Sequence, residues 1–581
     1  MAKKKKEKTF SSFLNNPIDF TLVITILLLL GIGLVMVLSA SSPSALSESG
    51  NSYAYFSKKP KNFIVDSMIY EKNIFQKNHK NIDLRFGLAY PNIYKTAMSS
   101  LGYNILYNLI NERQDTWCER IVYPHTNSIE SNNPMKNFDI ISFSLQFEED
   151  YFNVLKMIKQ SGIPLKRKDR SENNPLIIAG GPCATANPMP LSDYIDVFVI
   201  GEGEVTINKF LDRYLENKNL DNFLDMDGIY IPEFNNNAKI ALIDDMKNAY
   251  HITQPIITKT DKEDYKTVFS DSIMLNVSRG CTRGCRFCMS SYLYRPLRET
   301  TIKELVNIAL KTRENTNLNK ITLIGAAVGD YYDLEGLTKA LESEGFQIAT
   351  PSLRIDSLSR ETLETLKKSG LKSITIAPES ISTLRERINK SISDEKIFSV
   401  IKNAVDLDFN IKLYFLIGIP YESKEDIEEL ANYIEKIANM HKNRNYIKFS
   451  INPVIPKPQT PLQWEVYNFK EIKSKTRYLK KKLRKYNVKF ESPKKGLIQY
   501  ILSCGNREVG AVIEKSLTEE VTLKEWQSYL PNYNINDELP WSKIDIGIKS
   551  NFLKTENRRL KTKKQTPWCG DSPCYNCGPC N

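Results

Sequence analysis

Cys281, Cys285 and Cys288 lie in the segment NVSRGCTRGCRFCMSSYLYRP with the spacing C-x3-C-x2-C. Thiolates this close on one loop wrap a single iron–sulfur cubane. Three protein ligands for four irons leave one iron open. An open iron chelates the amino and carboxylate groups of a small cosubstrate and holds it beside an electron source. A zinc loop or a plain ferredoxin cluster needs a fourth ligand, and no further Cys or His occurs nearby in the sequence.

A second group closes the chain. The tail TPWCGDSPCYNCGPCN carries Cys569, Cys574, Cys577 and Cys580 as C-x4-C-x2-C-x2-C. Four thiolates complete either a tetrahedral zinc site or a full cubane, so a second iron–sulfur cluster and a structural zinc both stay open. Such a closed site serves electron relay, substrate contact or structure. Seven of the ten cysteines fall in these two groups, which favours metal ligation in a reducing compartment over a disulfide scaffold. Cys118, Cys183 and Cys504 are isolated and read as ordinary buried thiols.

The elements that must position these groups are α/β. At 581 residues the chain exceeds one core, and 41% hydrophobic with 25% charged residues excludes a largely disordered protein. From Asp83, short apolar runs (DLRFGLAY, FDIISFSL, PLIIAGGP, YIDVFVIGEGE) alternate with helical stretches such as 93–109, the pattern of a parallel sheet. Ligands bind at the carboxyl ends of strands in such sheets, so Gly180, Gly181, Gly201 and Gly203 are candidates for lining the crevice; tight turns are the other reason for glycine there. A second βα series runs from Met274 to about Pro458, with strands expected at IMLNVS, KITLIG, PSLRID, SITIAPE, IKLYFLIG and YIKFSINPV. Six strands suit a partial (β/α)6 barrel with the first cysteine loop after its first strand. A basic helical stretch, 473–489, and a mainly helical region follow. Its Lys473, Lys475, Arg477, Lys480, Lys481, Lys482, Arg484 and Lys485 fit either phosphates of an RNA or a solvated helix face, and the solvated face is the preferred reading.

The C-x3-C-x2-C loop, with Phe287 just before its third cysteine, resembles the radical S-adenosylmethionine (SAM) superfamily. The resemblance implies a [4Fe-4S] cluster on Cys281, Cys285 and Cys288 that cleaves SAM reductively to a 5′-deoxyadenosyl radical, fed by a flavodoxin- or ferredoxin-type donor. It implies that the Phe287 backbone contacts adenine, and that LIGAAVGDYYDL takes the place of the loop gripping the SAM amino group. That loop lacks the usual Gly-Gly-Glu; Gly329 and Asp330 are its candidates. Arg354 in SLRIDSL and Glu379 in ITIAPESIS stand where ribose- and carboxylate-binding residues are expected, and Gly418 and Ile419 in YFLIGIPYES match the strand that packs on adenine.

The first series, through LIIAGGPCATANP and DVFVIGEGE, resembles the cobalamin-binding domain that precedes many such barrels. The D-x-H-x-x-G motif supplying a cobalt ligand is absent, the loop reading YPNIYKTAMSSLG. Either cobalamin binds without a protein imidazole or the fold persists without the cofactor; His125 in YPHTN reads as structural. From Leu84 to Cys580 the chain resembles uncharacterised bacterial radical SAM proteins with a B12-type domain, also through INPVIPKPQTPLQW, SCGNREVGAVIEKS and WSKIDIGIKSNFLKTE. The expected organisation is a segment 1–62, a Rossmann-like B12-binding-type domain 63–262, a radical SAM barrel 263–472 and a helical C-terminal region 473–581. The leading function is radical SAM chemistry on an unknown substrate, with methyl transfer if cobalamin binds. A tRNA-modifying enzyme and an iron–sulfur carrier without turnover are the alternatives.

Residues Phe20 to Leu38 form an apolar run interrupted only by Thr21, Thr25, Gly31 and Gly33, close to the ~20 residues of a transmembrane helix. Lys3, Lys4, Lys5, Lys6 and Lys8 precede it, which puts the N-terminus in the cytoplasm and predicts membrane association through 20–38. A single span then exports a catalytic region expected in the cytoplasm. Residues 1–57 resemble the start of FtsW/SpoVE-type cell-wall polymerases, so a chimera, natural or from gene assembly, is expected with its junction near Lys58 to Phe63.

Overall fold

The computed structural model describes residues 70–260, 265–269, 271–349, 354–368, 370–443, 446–570 and 574–580. The described residues from Glu71 onward belong to one compact unit, which holds everything described below.

A six-stranded sheet comes first, with β1 (Leu84–Tyr90), β2 (Thr116–Val122), β3 (Ile140–Ser144), β4 (Leu176–Gly180), β5 (Val197–Val199) and β6 (Ile229–Tyr230) in the order 2-1-3-4-5-6. All neighbours pair in parallel except β5 with β6. Central β1 is buried along almost its whole length, which is why it reads as a continuous apolar run rather than an alternation. Gly87 is needed there, since a Cβ would stand 2.5 Å from Ile141 Cδ1 and 3.0 Å from Ile121 Cδ1. Helices α1 (Leu101–Glu112), α2 (Tyr151–Gln160) and α3 (Gly203–Glu216) connect the strands. The chain leaves β1 toward β2 on one side and reaches β3 on the other, so a topological switch point opens at the carboxyl ends of β1 and β3.

The second series forms two parallel arcs. β7 (Ile273–Asn276), β8 (Lys320–Ile324) and β9 (Gln347–Ala349) make one; β10 (Ser373–Glu379), β11 (Asn410–Ile417), β12 (Ile447–Pro453) and β13 (Val488–Phe490) make the other. Two strands differ from expectation. The third lies at Gln347–Ala349 rather than in PSLRID, part of which falls outside the described residues. The seventh, Val488–Phe490, occupies the end of the stretch expected to be helical. The intervening helices include α4 (Ile302–Thr316), α5 (Lys424–Ala438) and α6 (Phe469–Lys482). Capping boxes start α4 and α5, Thr301 with Glu304 and Ser423 with Asp426, each satisfying two free N–H groups. A helical region ending in α7 (Ser550–Thr562) completes the fold.

The sheet domain and the barrel are clamped by charge. Glu202, between the glycines of GEGE, takes Arg298 at 3.0 Å and Arg279 at 3.5 Å, and all three side chains are largely buried. Glu148, buried after β3, accepts from Gln499 at 3.0 Å and Ser503 at 2.9 Å and pairs with Lys457.

The expected transmembrane helix requires correction. Residues 20–38 lie outside the described residues, and among those described no helix is long and apolar enough to cross a membrane. α4 and α5 reach only 15 residues and carry charge along one face, short of the ~20 apolar residues a bilayer requires. The predicted membrane-associated location, and membrane contact through 20–38, fall with it. The proposed chimeric junction near Lys58 to Phe63 also lies outside the described residues.

Candidate active site at the first cysteine loop

β7 delivers the chain to Ser278–Arg279, which pair antiparallel with Arg298–Glu299. At Gly280 the backbone turns with φ +84°, and a Cβ there would lie 2.3 Å from the Tyr294 carbonyl oxygen, so only glycine permits the entry. The loop then closes on itself: the Cys288 N–H donates to the Cys285 carbonyl and the Ser291 N–H to the Cys288 carbonyl, both at 3.1 Å.

Cys281 and Cys285 are buried and Cys288 is half-buried. Burial pushes the Cys285 thiol up to about 11; Lys390 and Arg354 pull it down, while Cys288 and Cys281 push it further up. The three thiols therefore share one electrostatic environment, and two cations face it. Among the described residues no three His, Cys, Asp or Glu side chains converge as a ready-made site for a bare metal ion. The donor set, three thiols on one loop, fits a cubane with an open iron.

Charged residues between the cysteines, which the motif reading passed over, fix the loop. Arg283 bonds Asp330 through two nitrogens at 2.8 and 2.6 Å and reaches Asp356 at 3.1 Å. Arg354 also bonds both oxygens of Asp356, at 3.1 Å each. Candidates Asp330 and Arg354 thus join the cysteine loop in one network that spans the ends of β8 and β9. Gly329 packs beneath it, its missing Cβ 2.1 Å from Ser357 Oγ. Glu379 sits at a register shift of β10 with φ +68° and accepts from Lys390 at 2.6 Å, which sets the lysine that faces Cys285. Phe287 packs, partly buried, on the central core. Gly418 and Ile419 line a separate cavity of about 100 Å³ with Tyr467 and Ile472. The signal for Arg279, Arg283 and Arg286 is the arginine two positions before each cysteine in SRGCTRGCRFC.

A larger cavity of about 400 Å³ lies between the sheet and the barrel. Gly180, Gly181, Gly201 and Gly203 all line it, together with Ser142 and Ser144 of β3 and Asn276 of β7. Gly181 and Gly201 are held at φ +105° and +108° by close backbone approach, so the turn geometry alone requires them. The loop lacking the cobalt-ligating histidine presents Ser100, Leu101 and Gly102 to the cavity. Among the described lining residues there is no imidazole or thiol, and His125 is exposed elsewhere.

Of the tail group, Cys577 is buried, Cys569 half-buried, and Cys574 and Cys580 exposed. The basic stretch is committed to ion pairs at several points: buried Lys475 pairs with Glu422 at 2.8 Å, and Lys485 with Glu435 at 3.4 Å.

Residues 102–232 match the family model of the N-terminal region of radical SAM proteins, and residues 275–434 that of the radical SAM superfamily. An uncharacterized protein of Methanocaldococcus jannaschii is 33% identical over 446 residues, covering 74% of this chain and 90% of that relative. An uncharacterized methyltransferase of Pyrococcus horikoshii is 24% identical, covering 50% of this chain and 63% of its own length. The solved structure of the radical SAM methyltransferase TsrM from Kitasatospora setae, with cobalamin and a [4Fe-4S] cluster bound, aligns with TM-score 0.49 and 11% identity over 66% of this chain and 78% of that one. Because the superfamily match encloses the three-cysteine loop and the archaeal relative is spanned almost end to end, the chain belongs to the radical SAM superfamily, whose members work with SAM and a [4Fe-4S] cluster.

Proposed function

We propose that this chain is a radical SAM methyltransferase in which Cys281, Cys285 and Cys288 hold the cluster and the cavity between sheet and barrel holds cobalamin as methyl carrier. When bound, the cluster supplies the electron that splits SAM into methionine and a 5′-deoxyadenosyl radical, the electron coming from a flavodoxin- or ferredoxin-type donor. The chain's own part is positioning. Arg283, Asp330, Arg354 and Asp356 pin the loop to the ends of β8 and β9, and the charges of Lys390 and Arg354 offset part of the burial that disfavours the Cys285 thiolate.

The carrying observation is the cavity itself, where the switch-point edge of the sheet meets β7 immediately before the cysteine loop. Its serines, asparagine and glycine backbone suit a cofactor held by surface contacts, with no imidazole or thiol among the described lining residues to ligate cobalt. The methyltransferase name carried by the Pyrococcus relative supports the reaction class.

The test is anaerobic purification in the presence of hydroxocobalamin, followed by a visible spectrum and by incubation with SAM and dithionite. Stoichiometric retained cobalamin, with its base-off spectrum, supports the reading. Production of 5′-deoxyadenosine by protein that retains no cobalamin leaves radical SAM chemistry standing and removes methyl transfer through cobalt.

A further inference from the structure

The tail does not hang free of the first cysteine loop. The Cys569 N–H donates to the carbonyl of Thr282, directly after Cys281, at 3.1 Å. The Trp568 ring lies 4.0 Å from the Arg283 guanidinium, and Asn389 bridges the segments, accepting from the Thr566 N–H at 2.8 Å and donating to the Gly284 carbonyl at 3.2 Å. Cys577 is fixed through its carbonyl by the Lys549 N–H at 2.8 Å.

Two donors in this seam lack acceptors. Arg295, only 5% exposed, donates through Nη1 to Cys577 Sγ at 3.5 Å and lies against the rings of Tyr292 and Phe552. Its Nη2 is buried without a partner, and among the described residues no carboxylate pairs with it. The Thr282 hydroxyl is buried and unpartnered as well. A buried guanidinium without a counter-charge is costly and points to a missing anion. The tail thiols supply one once ligated, since Arg295 already reaches Cys577 Sγ and Cys569 is held against Thr282.

We propose that Cys569, Cys574, Cys577 and Cys580 hold a second, fully ligated iron–sulfur cubane seated against the loop of the first, with Arg295 as its buried counter-charge. Cys574, Cys577 and Cys580 have the C-x2-C-x2-C spacing of ferredoxin-type cubanes, whereas zinc sites pair their ligands two and two across a longer gap. The wrap is prepared: Gly578 turns at φ +123°, where a Cβ would meet the Gly547 carbonyl oxygen at 2.2 Å, and the Asn576 N–H already donates to Cys574 Sγ at 3.4 Å.

The experiment counts iron and acid-labile sulfide in the full chain after anaerobic reconstitution. Two cubanes give about eight irons per chain, and Cys574→Ser/Cys577→Ser/Cys580→Ser about four, with an electron paramagnetic resonance signal still shifted by SAM. The converse variant, Cys281→Ser/Cys285→Ser/Cys288→Ser, keeps about four irons with a signal indifferent to SAM. About four irons in the wild-type chain, an unchanged iron count in the tail variant, or one zinc retained by the tail overturns the proposal. Alkylation of the wild-type chain by iodoacetamide reads the same site without mutation. Exposed Cys574 and Cys580 react in the apo chain and are protected after reconstitution; equal labelling in both states overturns the proposal. Neither readout depends on cobalamin or turnover, so failure here is distinguishable from failure of the methyltransferase reading.

Discussion

Arg286, between the second and third cysteines of the first loop, is wholly buried and pairs at 3.0 Å with Glu556 of α7, 270 positions later in the chain. It also donates to the carbonyls of Arg387 and Lys564 at 2.6 Å each, so one guanidinium joins the loop, the barrel and the C-terminal region. Removing one partner of a buried pair strands the other charge. Arg286→Met is expected to cost about 3 kcal/mol, toward the low end for such pairs because Arg559 and Thr566 still bond Glu556. Adding Glu556→Gln recovers at least half. Urea unfolding of the three proteins checks this, and a single variant within about 0.5 kcal/mol of wild type denies the pair its role.

The Arg283–Asp330 contact leads to a separate expectation about SAM. Asp330 lies at the end of β8, and its pairing with Arg283 ties that end to the cysteine loop. Asp330→Asn keeps the shape but removes the charge holding Arg283. Its cluster content should match wild type, while 5′-deoxyadenosine formation falls about tenfold, the rate equivalent of ~1.4 kcal/mol of lost positioning. Unchanged cleavage at subsaturating SAM contradicts this assignment.

How far the sequence discloses this architecture depends on where each element finds its partners. β1, β3, β4 and β5 announce themselves because they are buried apolar runs. β2, TWCERIV, does not, because Glu119 and Arg120 break the run, yet both are fully buried. Their partners stand outside the strand, 10 to 49 positions away: Arg120 meets Glu130 and Glu71, and Glu119 meets Arg85 at 2.8 Å. The cysteines are legible from spacing alone, since cluster ligation is local. The arginines that fix them are not, because Asp330, Asp356 and Glu556 stand far away in sequence and come close only through the fold. Val488–Phe490 hides for another reason: three residues within a lysine-rich stretch offer too short an alternation to read as a strand.

Asp150 gives the sheet domain a pH dependence. It precedes α2 and accepts from Asn92 at 2.8 Å, but burial outweighs that bond and, with the charges of Glu149 and Glu148, pushes its carboxyl from 3.8 up to about 6. The folded state therefore holds the proton more tightly than the unfolded one. The stability Asp150 confers is complete below about pH 4 and is lost as pH rises through about 6. Asp150→Asn, which never ionises, should match wild type at pH 4 and exceed it by about 1 kcal/mol at pH 7, allowing for solvent screening. Parallel denaturation curves at the two pH values decide it; equal differences at both exclude the carboxyl as the source.

The cavity between sheet and barrel can be closed without harming the fold. Gly102 lies in the first turn of α1 and lines the cavity, and a Cβ added there meets nothing within 4 Å. Leucine is the better helix former by nearly the whole glycine penalty of about 1 kcal/mol. Gly102→Leu should therefore be as stable as wild type or slightly more so, while its side chain takes up space at the switch-point end of the crevice. If cobalamin binds there, the variant retains less than about a tenth of the wild-type amount, equivalent to ~1.4 kcal/mol or more of lost binding. Its [4Fe-4S] content and SAM-dependent spectral shift persist, because the cysteine loop is untouched. Full cobalamin retention by Gly102→Leu places the cofactor elsewhere and leaves this cavity to the substrate.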